Sequence, residues 1–91
     1  MSIPVRLSSA LATQTGGIRT LDAHGATVGA VLDHVVSRFP AVGPRLRDSQ
    51  DLLYPFITVY LNDQDIRFAS GFATAVREGD EVVIVPAVAG G

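Results

Sequence analysis

The sequence contains no cysteine and no lysine. Without cysteine there is no disulfide framework, no thiolate metal site and no thiol nucleophile, so any sulfur or acyl chemistry must use another group. Without lysine, lysine-linked chains of this protein on itself are excluded. Its seven arginines are scattered at positions 6, 19, 38, 45, 47, 67 and 77, and the formal net charge is −2. A nucleic-acid partner calls for a concentrated positive field, which this distribution does not provide. No apolar run reaches the ~18 residues of a membrane span. Met1-Ser2-Ile3-Pro4-Val5-Arg6 also lacks the basic-then-apolar order of a secretory signal. No nucleic acid, no membrane and a cytoplasmic address are expected.

The usual catalytic constellations are missing too. His24 and His34 stand alone, with no metal-ligand spacing around them, and read as surface or turn residues; no metal site is expected. No serine lies in a nucleophile-elbow context, and neither a phosphate loop nor a dinucleotide fingerprint occurs. The pairs Asp63/Asp65 and Asp80/Glu81 fall at turns, where aspartate is favoured by its bond to nearby backbone, and read as solvated turn residues rather than a general acid and base. The chain is not expected to be an enzyme.

What is present fits one small domain, since 91 residues support a single core. Ile3, Val5 and Leu7 alternate as a half-buried strand, although Pro4 cannot donate to a ladder, so regular pairing is expected from about Val5. After a loop through Ala10-Leu11-Ala12, the Thr15-Gly16-Gly17 turn leads into a second strand, Ile18-Arg19-Thr20-Leu21. Thr27 is placed to cap a helix in which Val28, Val31, Leu32, Val35 and Phe39 share a face, with Gly29, Asp33, His34, Ser37 and Arg38 opposite and Pro40 at its end. Residues 41–55 read as a loop with a short turn of helix under it, carrying Leu46, Leu52 and Leu53. Phe56 to Leu61 is a strand, Asn62-Asp63 a turn, and Asp65 to Phe68 a short edge strand. Glu78-Gly79-Asp80 then turns the chain into a final strand, Glu81 to Val85, ended by Pro86.

One helix covers only one face of such a sheet. If Val82 and Ile84 point at the helix, Val83 and Val85 point away, and so do Thr58 and Tyr60 if Ile57, Val59 and Leu61 line the core. Tyr60, Val83 and Val85 are therefore expected to form an exposed apolar patch, unless the long loop or a second copy covers it. Beyond Pro86 come Ala87-Val88-Ala89-Gly90-Gly91, a stretch almost free of side chains. Two glycines add no bulk and accept any backbone conformation, so such an end can be drawn through a narrow channel. Five extended residues reach about 17 Å. An end of small residues is also common in domains where it does nothing.

The run Glu78-Gly79-Asp80-Glu81-Val82-Val83-Ile84-Val85-Pro86-Ala87-Val88-Ala89-Gly90-Gly91 resembles the C-terminus of the β-grasp, ubiquitin-like sulfur carriers. Thr15-Gly16-Gly17, Thr27 to Val31, Val59 to Asp63, Asp65 to Phe68 and Ala73-Thr74-Ala75 extend the likeness over essentially the whole chain. Within the family the resemblance is to the branch that serves the O-phosphoserine-dependent cysteine synthase of actinobacteria. It implies an α+β, β-grasp fold in residues 1–86, a mixed sheet with one main helix, and a flexible tail in 87–91. It also implies that an E1-like, ATP-dependent activating enzyme adenylates the Gly91 carboxylate and that a sulfurtransferase or other sulfur donor converts it to a thiocarboxylate. A sulfur-accepting, pyridoxal-phosphate-dependent synthase then receives the sulfur, and a metalloprotease releases the new cysteine. Gly91 is the attachment point, Gly90 gives access, and Tyr60, Val83, Val85 and Val88 are the expected docking residues. The cofactors belong to the partners, and since the chain ends at Gly91 no trimming step is expected. Other sulfur pathways (molybdopterin, thiamine or a natural product), a ubiquitin-like modifier joined to target lysines through Gly91, and a plain interaction domain remain as alternatives.

Overall fold

The computed structural model describes residues 2–46 and 57–86. The chain opens with β1 (Ile3–Leu7), in which Ile3, Val5 and Leu7 are buried and Arg6 is exposed, the period of a strand with one covered face. Strand β2 is Thr20–Ala23, and pairing with β1 begins at Ile3 opposite Ala23 rather than at Val5, with Pro4 opposite Asp22. The proline is tolerated because of where its nitrogen points. The Leu7 N–H donates to the Arg19 carbonyl and the Ser8 N–H to the Ile84 carbonyl. Odd residues of β1 therefore bond to β2, and even residues face the other neighbour, whose ladder starts only at Val5 opposite Val82. Pro4 lies before that ladder begins and costs it nothing.

The second strand sits two residues later than expected. Gly16 and Gly17 turn the chain with φ of 73° and 96°, values open to glycine and strained for most residues. Ile18 is then left 41% exposed. Leu21 and Ala23 are the inward residues of β2 because they stand opposite Val5 and Ile3. The segment expected as loop at Ala10-Leu11-Ala12 is a one-turn helix, α1 (Ser9–Ala12), capped by the Ser8 side chain, which accepts from the Leu11 N–H at 3.3 Å. Four residues are too few to display a helical period.

The main helix, α2 (Val28–Arg38), follows the sequence expectation. Thr27 Oγ1 accepts from the Ala30 N–H at 3.2 Å, the usual N-cap bond. Val28, Val31, Leu32 and Val35 are wholly buried against the sheet. Gly29, expected to face solvent, lies against Phe72 instead; a Cβ there would stand 3.1 Å from the Phe72 carbonyl oxygen. That approach lets the 3-10 turn Gly71–Ala73 close over the helix N-terminus, where the Val28 N–H donates to the Thr74 carbonyl at 2.9 Å. Phe39 ends α2, a 3-10 turn runs from Pro40 to Val42, and α3 (Gly43–Leu46) follows, with Val42 and Leu46 buried. Leu52, Leu53 and Phe56 lie outside the described residues.

Strand β3 (Ile57–Leu61) turns through Asn62 and Asp63 into β4 (Gln64–Asp65). The edge strand expected at Asp65 to Phe68 is thus only two residues long. The Asp65 carboxylate accepts the Arg67 N–H at 2.8 Å, and the chain curls into a 3-10 turn, Ile66–Phe68. Strand β5 (Val82–Pro86) closes the sheet, and Pro86 is its last paired residue, opposite Ile57, rather than a stop before pairing. The strand order is β2-β1-β5-β3-β4, with β1 and β5 parallel and the other pairs antiparallel. This is a β-grasp sheet of the α+β class, with α2 across one face.

Leu32 is 0% exposed at the centre of that face. Leu32→Ala is expected to lower the unfolding free energy by about 2–5 kcal/mol, through lost transfer energy and the cavity left behind. Chemical denaturation of the two proteins measures this, and a loss under about 1 kcal/mol would contradict the core assigned to α2.

Candidate functional site

The face of the sheet turned away from α2 carries the site. The pairing register aligns Arg6, Val83, Tyr60 and Asp65 in one row across four strands, and Val85 with Thr58 in the next. On β5, Val82 and Ile84 are buried under α2, whereas Val83 is half-buried and Val85 is 37% exposed. Tyr60 is half-buried beside them. The structure therefore brings together Tyr60, Val83 and Val85, which with Asn62 and Asp63 line a depression of about 250 Å³. Val88, Gly90 and Gly91 lie outside the described residues.

The wall of this depression is held by Asn62. It adopts the left-handed conformation, φ 56°, a region asparagine enters more readily than other non-glycine residues. From there it grips the entry to β5 three times. Its N–H donates to the Glu81 carbonyl at 2.8 Å, its Oδ1 accepts from the Glu81 N–H at 3.0 Å, and its Nδ2 donates to Asp80 Oδ1 at 3.1 Å. Asp80 Oδ2 in turn accepts the Arg77 N–H at 2.9 Å. These bonds fix the β3–β4 turn against the turn that precedes β5, so the apolar floor and its polar rim keep one geometry. The sequence marked Asn62 only as a turn residue. Its grip on Glu81 and Asp80 is not visible in a linear pattern, because its partners are brought near only by the β3–β5 pairing.

The acidic residues behave as turn residues. Asp65 caps the 3-10 turn that follows it, and Glu81 pairs with Arg6 at 3.1 Å on the open sheet face. The Asp80 carboxyl is held below its ordinary value of 3.8, chiefly by the hydrogen bond from the Arg77 backbone and then by the one from Asn62. No group of three or more metal-ligating side chains occurs among the described residues. His24 and His34 nevertheless meet, with the His24 N–H donating to His34 Nδ1 at 2.7 Å, a contact that their spacing in the sequence does not announce. Around the depression the side chains are a phenol, an amide, a carboxylate and two isopropyl groups. Such a set can bury a partner's apolar side chain and bond polar groups at its edge.

The ThiS family model matches residues 5–91. The chain belongs to the ThiS family. Across its full length it is 41% identical to sulfur carrier protein CysO of Mycobacterium tuberculosis, covering 100% of both chains. Its fold superposes with a TM-score of 0.90 on a chain of the Amycolatopsis orientalis BexX/CysO complex, at 43% identity over 98% of this chain and 99% of that one. It also matches small archaeal modifier protein 1 of Haloferax volcanii, with a TM-score of 0.86 and 32% identity over the whole of both chains. The ubiquitin-like β-grasp architecture is common to these family relatives. No helix among the described residues is long and apolar enough to cross a membrane.

The lowered Asp80 value gives a pH prediction. A carboxyl whose pKa is depressed on folding stabilises the native state above its unfolded value, near 4, and that contribution is lost as pH falls through the lower folded value. Asp80→Ala is expected to be less stable than wild type at pH 7, with the difference shrinking toward zero as the pH is taken down to about 2. Urea unfolding of both proteins at a series of pH values checks it; a difference independent of pH would contradict the Asn62–Asp80 bonding.

Proposed function

We propose that this chain is a sulfur carrier, acting through the Gly91 carboxylate and not as a catalyst. Full-length similarity to CysO supports the carrier role. The observation that carries the mechanism is that the half-buried Val83 and the exposed Val85 lie on the strand that leads into the terminus. A partner seated on the depression is therefore within reach of the end of the chain. Gly91 is the sixth residue after Val85, about 20 Å away if extended, enough to enter an active site beside the docked face. In this reading residues 1–86 are the body, 87–91 the arm, and Tyr60, Val83, Val85 and Val88 the contacts.

A carboxylate resists nucleophiles, so loading needs activation. An E1-like enzyme joins the Gly91 carboxylate to the α-phosphorus of ATP, and pyrophosphate leaves. Sulfide then attacks the acyl carbon, and AMP leaves with the C–O bonding pair; where the donor is a sulfurtransferase persulfide, the acyl disulfide first formed is cleaved by a thiol reductant, which leaves as the disulfide. The product is a thiocarboxylate, a soft anionic nucleophile that a cysteine-free chain presents without a thiol of its own. Likeness to CysO favours delivery into cysteine biosynthesis, to a partner synthase whose pyridoxal phosphate would supply the electrophile that the Gly91 thiocarboxylate meets. The Amycolatopsis orientalis BexX/CysO complex supports docking of such carriers on a partner protein. Likeness to small archaeal modifier protein 1 favours one alternative, conjugation of Gly91 to target lysines.

Incubation with ATP, an activating enzyme and a sulfide source, followed by mass spectrometry, is expected to find one oxygen replaced by sulfur at Gly91. An unchanged terminus, with the protein recovered on target lysines instead, would replace the carrier by the modifier. Deletion of Gly91 is expected to leave the melting temperature unchanged and to abolish loading; a large loss of stability would contradict the division into body and arm. Val83→Arg is expected to keep the fold while slowing loading by about tenfold or more, as for a central interface residue. Equal loading rates would place the docking surface elsewhere.

A further inference from the structure

The two outer strands of an open sheet offer unpaired backbone groups, which proteins commonly guard with charged residues, lysine above all. This chain has no lysine. Strand β2 is such an edge, and its outward groups follow from its ladder. The Leu7 N–H bonds the Arg19 carbonyl, while Val5 stands opposite Leu21 and Ile3 opposite Ala23. The even residues Thr20, Asp22 and His24 therefore turn their N–H and C=O groups away from β1. Two of those groups are occupied, both from α2. Arg38 Nη1 donates to the Asp22 carbonyl at 2.8 Å, and His34 Nδ1 accepts the His24 N–H at 2.7 Å.

His34 and Arg38 are four residues apart, hence on one face of the helix. Together they supply one donor and one acceptor to consecutive edge groups, which is what one residue of a parallel strand would supply. Each is further braced by a ring: His34 lies 5.2 Å from the His24 ring by centroids, and the Arg38 guanidinium carbon lies 5.6 Å from the Phe39 ring centroid. The opposite edge is treated alike, for Arg67 Nη2 donates to the Ile57 carbonyl where β4 no longer reaches.

We propose that His34 and Arg38 act as a side-chain strand that closes the β2 edge against strand addition by a second copy of this chain. The edge is complementary to itself. Two β2 strands brought together antiparallel about a two-fold axis place Thr20 of one copy opposite Asp22 of the other, backbone bonded to backbone and hydroxyl facing carboxylate. The α2 pair occupies the Asp22 carbonyl that this pairing needs, and so keeps each copy single with its other sheet face clear.

The test is sedimentation of the full chain from micromolar to millimolar concentration. Wild type is expected to remain monomeric, and the variant His34→Ala/Arg38→Ala to self-associate with rising concentration. Adding Thr20→Pro is expected to restore the monomer, because the Thr20 N–H faces the free edge and its loss spares the β1 ladder. A folded double variant that stays monomeric overturns the proposal, as does association that Thr20→Pro leaves untouched or a wild type already paired through β2. Should the double variant fail to fold, hydrogen exchange in His34→Ala alone decides. The His24 amide is expected to exchange about five- to tenfold faster, the loss of one hydrogen bond, and His34→Asn, whose Oδ1 can accept in place of Nδ1, to restore its protection. An unchanged His24 amide in His34→Ala overturns the assignment.

Discussion

The structure depends on one pairing, the short parallel ladder between the first and last strands. Val5, Arg6 and Leu7 stand beside Val82, Val83 and Ile84, so the two ends of the domain meet at the middle of the sheet. A parallel pair needs a long crossover, and everything between β1 and β5 serves as that connection, with α2 at its centre burying the inner face. A proline sits at each end of the ladder. Pro4 precedes the point where β5 joins β1, and Pro86 directs its nitrogen past the point where β1 has ended. The two residues that cannot donate therefore frame the ladder without weakening it.

Putting the last strand in the centre sets where the candidate site lies. A central strand is flanked on both sides, so β5 favours β-branched residues throughout, but a single helix covers only one of its faces. Val83 and Val85 are left on the open face beside Tyr60, next to the strand end that leads into the terminal residues. In the proposed reading, the docking residues lie on the strand from which the chain continues to Gly91. Asn62 and Asp80 hold the rim by hydrogen bonds to backbone and to each other.

Much of this was legible in the residues, for local reasons. The period of Val28, Val31, Leu32 and Val35 and the cap at Thr27 described α2 closely, because helix bonds and caps join residues a few positions apart. The split of β5 into Val82 and Ile84 inside and Val83 and Val85 outside also followed from alternation alone. The misreadings have the opposite character. The position of β2, the helix at Ser9–Ala12, the curl at Ile66–Phe68 and the contact of Gly29 with Phe72 were each decided by a distant partner or by a local cap in a segment too short to leave a period. The rim of the site was half legible: Tyr60, Val83 and Val85 could be grouped by face, while the role of Asn62 required knowing that Glu81 and Asp80 lie across from it.

By itself, the sequence determined the chemistry open to this protein. A chain without cysteine has no thiol chemistry of its own and one without lysine has no lysine-linked chains on itself, and no folding changes those absences. Only the tertiary structure decided which backbone groups would be satisfied and by whom: that Pro4 and Pro86 fall outside the parallel ladder, and that His34 and Arg38 reach the edge of β2. Such pairings join residues far apart in the chain, and their energy depends on geometry that a linear pattern does not contain.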